Sequence, residues 1–210
     1  MPKQTFEAAL PAGYRQAYYL NAKHTKTGLV LSLLSLVPLI PAIVLAVRLP
    51  QLLPGVGSRL PLRGMPLLVL GFLAVYVLLL VVHELLHGLA YRLLTRQKLR
   101  FGLSWSCAWC GVPDIYVYRG ASMVALILPF AVITVLLAAL LWAFRSDSVL
   151  LGVTILMLGA HTGGCVGDLY LFALFLFRYR SPAALIRDTG PEQTVYLPGE
   201  EREPDGPAQP

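Results

Sequence analysis

The stretch Val81-Val82-His83-Glu84-Leu85-Leu86-His87-Gly88 decides how this chain is read. It lies inside an apolar run from Met65 to Leu94, long enough to form a helix that crosses a bilayer. On a helix His83 and His87 fall one turn apart on one face, so two imidazoles can share one metal ion. Glu84 is turned by about 100° from His83, beside such an ion rather than in line with the rings. That offset suits a general base acting on a water that the ion activates, the logic of H-E-x-x-H. The bland alternative is a polar contact between helices, with Glu84 buried neutral against a neighbour. An unpaired glutamate and two histidines in a hydrocarbon-spanning segment are costly enough to favour the functional reading.

Composition points the same way. Of 210 residues 57% are hydrophobic and 13% charged, and the mean hydropathy is +0.68, which marks an integral membrane protein with no sizeable soluble domain. The first 26 residues are mixed and polar, without the short apolar core of a cleavable signal peptide. The net charge of +6 does not call for nucleic acid, because the basic residues cluster at the ends of apolar runs, as juxtamembrane anchors do. Cys107 and Cys110 form a lone C-x-x-C, weak evidence for a metal or redox site, and read as reduced thiols. Cys165 falls within a span and reads as a small packing residue.

Taken in order, residues 1–26 mix Lys3, Arg15, Lys23 and Lys26 with Tyr14, Tyr18 and Tyr19, a segment lying at the membrane surface. Four apolar spans follow at about 27–47, 65–94, 121–144 and 149–177, the first broken by Pro38 and Pro41, the third carrying Pro129. The second exceeds the ~30 Å hydrocarbon core at ~1.5 Å per residue, so its end with Arg92, Arg96 and Lys98 should protrude. Between the second and third spans, residues 99–119 read as two short strands around Cys-Ala-Trp-Cys and Gly111. This connection is either an ordinary interfacial loop or an edge strand able to pair with an extended substrate. In the fourth span Gly159, Gly163 and Gly167 recur every four residues, a ridge for close helix packing. Residues 179–210, rich in Pro, Gly and Glu, read as a disordered tail. The expected fold is therefore an all-α membrane protein: a four-transmembrane-helix bundle with a short interfacial β-hairpin or re-entrant loop between helices 2 and 3. The basic residues favour both termini in the cytosol, against which Arg48, Arg59 and Arg63 weigh.

Glu84 and Asp168 are the only acidic residues within the four spans. His87 lies five residues before Arg92 and Asp168 ten before Arg178, which puts both roughly 7–15 Å from the same boundary. Matched depth makes Asp168 the best third ligand, and two imidazoles plus a carboxylate leave the open position of a catalytic zinc site. His161 lies two turns from Asp168, about 10 Å along a straight helix, so the two do not share an ion there. It is assigned to the substrate side, as a donor to the developing alkoxide, or else it is a histidine hydrogen-bonded across the bundle. Cys165 replacing Asp168 is a lesser alternative.

His83-Glu84-x-x-His87-Gly88 on one span and Gly167-Asp168 on a later one resemble the site-two class of intramembrane metalloproteases. The compact size, the hairpin-like segment, Pro129 and the glycines before Asp168 resemble more closely a bacterial family of zincin peptidases that are integral membrane proteins. The likeness covers roughly residues 65–178. It implies His83, His87 and Asp168 as zinc ligands and Glu84 as the base. The chain departs from site-two proteases in having His161 and glycines where those have an Asn and a Pro, and in lacking a PDZ domain. Together these readings predict a multi-pass protein of a prokaryotic cell membrane that binds Zn2+. It would hydrolyse a peptide bond in or near a transmembrane segment of a membrane protein or peptide. The rival is a membrane protein that binds zinc without proteolysis, as a transporter or scaffold.

Overall fold

The computed structural model describes residues 4–52, 64–103 and 108–199. Arg59, Arg63 and Cys107 lie outside the described residues, as do the side chains of 50–52 and the end of the tail. Two N-terminal strands, β1 (Phe6–Glu7) and β2 (Tyr14–Asn21), precede α1 (Thr25–Leu36) and α2 (Leu39–Leu52). Then come α3 (Met65–Thr95), a hairpin of β3 (Arg100–Leu103) and β4 (Ala108–Gly111), β5 (Tyr116–Tyr118) and α4 (Arg119–Ala143). The chain ends with α5 (Ser148–Gly164), α6 (Val166–Ala173), a π-helical stretch Leu174–Arg178, β6 (Leu185–Asp188) and β7 (Glu192–Pro198).

These elements overturn the all-α expectation. β1, β5, β6, β7 and β2 pair in that order into one antiparallel sheet, and β3–β4 form a second, two-stranded one. The segment read as juxtamembrane supplies two strands of the larger sheet, and the stretch read as a disordered tail supplies two more. A hairpin does lie between the second and third spans, as β3–β4, but Ala108-Trp109-Cys110-Gly111, expected in its turn, forms strand β4, and the second expected strand is β5 of the larger sheet. Because β1 and β2, β5, and β6 and β7 share one sheet, the N-terminal segment, the connection after α3 and the chain after α6 lie on one side of the helices.

Three helical segments are long and apolar enough to cross a membrane: Thr25–Leu49, Met65–Thr95 and Arg119–Ala143. The fourth span is not a straight helix. Its two parts, Ser148–Gly164 and Val166–Arg178, are bent by 50° at Cys165, and only together do they amount to a crossing. Within the helical layer α2 packs on α5, α5 on α4 and α4 on α3. The glycine ridge is partly as expected. At Gly159 and Gly163 an added Cβ would run into Ala42 and the Ser35 backbone, so α5 lies against α1 and α2 through bare backbone. Gly167 does not belong to that contact: nothing lies within 4 Å of where its Cβ would be.

The largest core joins the sheet to the ends of three helices. Val117, Ile186 and Val195 of the sheet bury against Ala90 and Tyr91 of α3, Ala121, Ala125 and Leu126 of α4, and Leu171 of α6. At about 25 cal/mol per Å² of apolar area removed from water, this core locks the sheet onto the H-E-x-x-H end of α3. A hydrogen bond between two buried side chains reinforces it, the Tyr91 hydroxyl donating to Asp188 Oδ2 at 2.6 Å. Asp188 Oδ1 in turn accepts the Gly190 N–H at 2.9 Å in the β6–β7 turn, where Gly190 has φ +96°.

Candidate metal centre

His83 and His87 point from buried positions on α3 toward Asp168 in the first turn of α6. His83 Nε2 lies 3.1 Å from Asp168 Oδ2 and 3.0 Å from His87 Nε2. His87 Nε2 lies 3.4 Å from the same carboxylate oxygen. The sequence thus named three side chains whose ligand atoms lie within 4.8 Å of one another.

The backbone explains why His87 presents Nε2. Pro129 inside α4 has no N–H, so the carbonyl four residues earlier, that of Ala125, receives no helical hydrogen bond there. His87 Nδ1 fills that gap, donating to Ala125 O at 2.9 Å. With the proton fixed on Nδ1, the Nε2 lone pair faces His83 and Asp168, the tautomer a metal needs. On the neighbouring ring, His83 Nδ1 faces Cys165 Sγ at 3.8 Å, which leaves its Nε2 turned to the same point. The two Nε2 atoms and the carboxylate oxygen crowd within 3.4 Å of one another, a spacing that a shared proton or a metal cation satisfies. The donor set fits zinc: two nitrogens and one oxygen, with a fourth position free.

Glu84 is half-buried, makes no hydrogen bond to another described residue, and lines the same cavity as His83, His87 and Asp168. That cavity, about 580 Å³, runs from the cluster to Trp109 and Cys110 of the hairpin, Gly190 of the β6–β7 turn, Gln193 of β7, and Ser32 and Ser35 of α1. The hairpin is held over the motif by glycines. A Cβ on Gly88 would meet Phe101 Cζ at 2.9 Å and Leu99 Cδ1 at 3.2 Å, so only the bare backbone of α3 lets β3–β4 seat there. Trp109 lies so close over Gly102 and Gly190 that a side chain at either would collide with its ring.

His161 lies on the other side of His83 from the carboxylate. Its ring stacks on Phe130, with centroids 6.0 Å apart and planes at 15°, and its two nitrogens are 3.7 and 3.8 Å from Cys165 Sγ. Cys165 is fully buried, consistent with a packing residue, and its sulfur packs against both His83 and His161. Cys110 makes no such contact with a histidine among the described residues, and burial pushes its thiol up to about 12.

Sequence reasoning missed the Tyr91–Asp188 pair and the whole β6–β7 turn that closes the cavity. Asp188 gave no motif, being a lone aspartate in a stretch of mixed polarity. The usable signal was Thr194-Val195-Tyr196-Leu197, a run rich in strand-forming residues.

No curated protein and no solved structure matches the chain significantly. One family model does, over residues 76–183, which is just over half of the chain and takes in the histidine pair, Glu84 and Asp168. Its description, "putative zincin peptidase", brings with it metallopeptidase chemistry and zinc, and by that match the chain belongs to this family.

Proposed function

We propose that this protein is a zinc-dependent endopeptidase that works within the membrane, on a peptide bond in or near a transmembrane segment of another protein or peptide. The observation that carries the reading is the meeting of His83, His87 and Asp168 from separate helices, beside Glu84 and inside a cavity. Family membership supports the peptidase part, and the apolar helices support the location.

His83 and His87 would hold zinc through Nε2, and Asp168 through Oδ2. Bound there, zinc supplies Lewis-acid activation of a water and of the scissile carbonyl. Glu84, one residue beyond a ligand and facing the cavity, takes the proton of the attacking water and returns it to the leaving amine. Ala125 and Pro129 keep the His87 tautomer fixed throughout. His161 lines the cavity wall, and in this reading it donates to charge developing on the carbonyl oxygen. Trp109 and the β6–β7 turn wall the cavity on the sheet side. A peptide bond inside a regular helix is shielded, so the substrate must unwind before Glu84 can act on it.

The test combines metal content with cleavage of a co-expressed single-span substrate. Purified protein should carry zinc, lost on His83→Ala or Asp168→Ala, while Glu84→Gln should keep the zinc and abolish cleavage. If Glu84→Gln behaves as wild type while the ligand variants do not, the non-proteolytic transporter or scaffold reading replaces this one.

A further inference from the structure

His83 offers a nitrogen to each of two clusters. Its Nε2 faces His87 and Asp168; its Nδ1 faces Cys165 Sγ, which in turn lies beside the His161 ring. All three members of the second cluster, His83, His161 and Cys165, are buried, Cys165 completely so. One ligand atom from each lies within 4.8 Å of the others. The sulfur–nitrogen distances of 3.7 and 3.8 Å are long for directed hydrogen bonds. They approach the ligand–ligand spacing of about 3.5 Å that a tetrahedral zinc imposes with a Zn–S bond of ~2.3 Å and a Zn–N bond of ~2.0–2.1 Å. Placement at the bend adds to this, because Cys165 separates α5 from α6 and sits between the helix that carries His161 and the one that carries Asp168.

We propose that His161 and Cys165, with the Nδ1 edge of His83, form a second, softer metal subsite that takes a thiophilic divalent ion such as Zn2+ or Cd2+ when that ion is in excess. The donors differ from those of the first cluster as softness requires: a sulfur replaces the carboxylate oxygen. With both subsites filled, His83 bridges two ions. The second ion displaces one proton from the Cys165 thiol and one from His83 Nδ1, both released to water, and no electron moves. The resulting thiolate and imidazolate neutralise its double charge. Drawing His83 into a bridge reorients a ligand of the first cluster, so filling the second subsite inhibits. The inference goes beyond the proposed peptidase activity and shares His83 and His161 with it.

The test is titration of the full-length, detergent-solubilised protein with Cd2+, in a Cys107→Ala/Cys110→Ala background where Cys165 is the sole thiol. Two ions per chain should bind, the second with a thiolate-to-metal charge-transfer band in the near ultraviolet and release of two protons. Cys165→Ser should leave one ion and no band, and His161→Gln should weaken the second ion by about tenfold or more. Asp168→Asn should weaken the first ion and spare the band, which separates a failure here from a failure of the peptidase reading. A single ion without a band, or two ions in Cys165→Ser, overturns the proposal. A single ion that carries the band overturns it too, and moves the metal centre itself onto Cys165. The stoichiometry and band of the parent protein decide the matter even where a variant fails to fold.

Discussion

Along α3, Leu67, Leu70 and Leu78 are 74%, 64% and 60% exposed, whereas Ala90 and Tyr91, little more than three turns farther on, are 3% and 1% exposed. The first half of the helix turns one face, with Phe72, Tyr76 and Leu79, to α4 and α5 and the rest outward with Leu and Val side chains. The second half is covered on one side by the sheet, α4 and α6 and carries every buried residue of the helix, from His83 to Thr95, while Leu85, Leu89 and Leu93 on its other side stay exposed. Both halves are written in the same apolar alphabet, because lipid and protein interior reward the same residues. What distinguishes them is the small and polar minority: Gly88 and Ala90 admit close neighbours, and His83, His87 and Tyr91 each have a named partner. Function collects in the half where apolar residues give way to groups that need satisfying.

The sharpest way to break this contrast is at the motif itself. Glu84→Gln removes a proton carrier while leaving shape and metal ligands in place, so cleavage should fall by about 10²–10⁴-fold with zinc content unchanged. A matched loss of zinc would mean that Glu84 holds the site together rather than serving its chemistry.

Next in size is Pro129→Ala. Alanine restores an N–H that competes for the Ala125 carbonyl, so His87 Nδ1 loses an exclusive acceptor. Zinc affinity should drop by about 10–100-fold, the usual effect of losing a partner that orients a ligand. Thermal stability should hold or rise, because a proline leaves the helix interior. Opposite signs in metal affinity and stability separate a positioning role from a structural one; if both fall together, the proline matters only for packing.

Tyr91→Phe probes the seam between α3 and the sheet. It deletes the hydroxyl that donates to Asp188 and leaves a buried acceptor short of a partner, at a cost of about 1–3 kcal/mol. Burial holds the Asp188 carboxyl above its ordinary range despite the hydrogen bonds from Tyr91 and Gly190. A raised folded-state value means the proton is bound more tightly in the folded protein. The stability linked to Asp188 is therefore present in acid and lost as pH rises through that raised value. Asp188→Asn should flatten this part of a melting-temperature profile, and an unchanged slope would place the pH dependence elsewhere.

The candidate metal centre was more legible than the fold around it, for a physical reason. In an apolar background each ionisable residue is conspicuous, so His83, Glu84, His87 and Asp168 stood out without any alignment. The sheet left no such mark. Its pairings join Tyr14–Asn21 to Glu192–Pro198 and Phe6–Glu7 to Tyr116–Tyr118, across most of the chain, and no local period reveals such a partner. β2 reads Tyr-Arg-Gln-Ala-Tyr-Tyr-Leu-Asn, a mix of basic and aromatic residues that suits a membrane surface as well as a strand. The bend at Cys165 was hidden for the opposite reason. The glycines signalled close packing as readily as a break, and a straight helix then set His161 aside as a ligand and left Cys165 only as a lesser replacement for Asp168.

The smallest effect tests the outer half of α3. Leu70→Ala removes side-chain volume from a position whose neighbours are not protein, so no cavity forms in a core. The stability change in a bilayer should stay within about 0.5 kcal/mol, as for substitutions away from packed features. Ala90→Leu, on the same helix but under the sheet, adds volume where there is none to spare and should cost about 1–3 kcal/mol. The pair is informative because, by hydropathy alone, the first change is the harmful one and the second the benign one. If Leu70→Ala proves the more damaging, the outer face of α3 is an interface with another protein surface, and the contrast between the two halves of the helix dissolves.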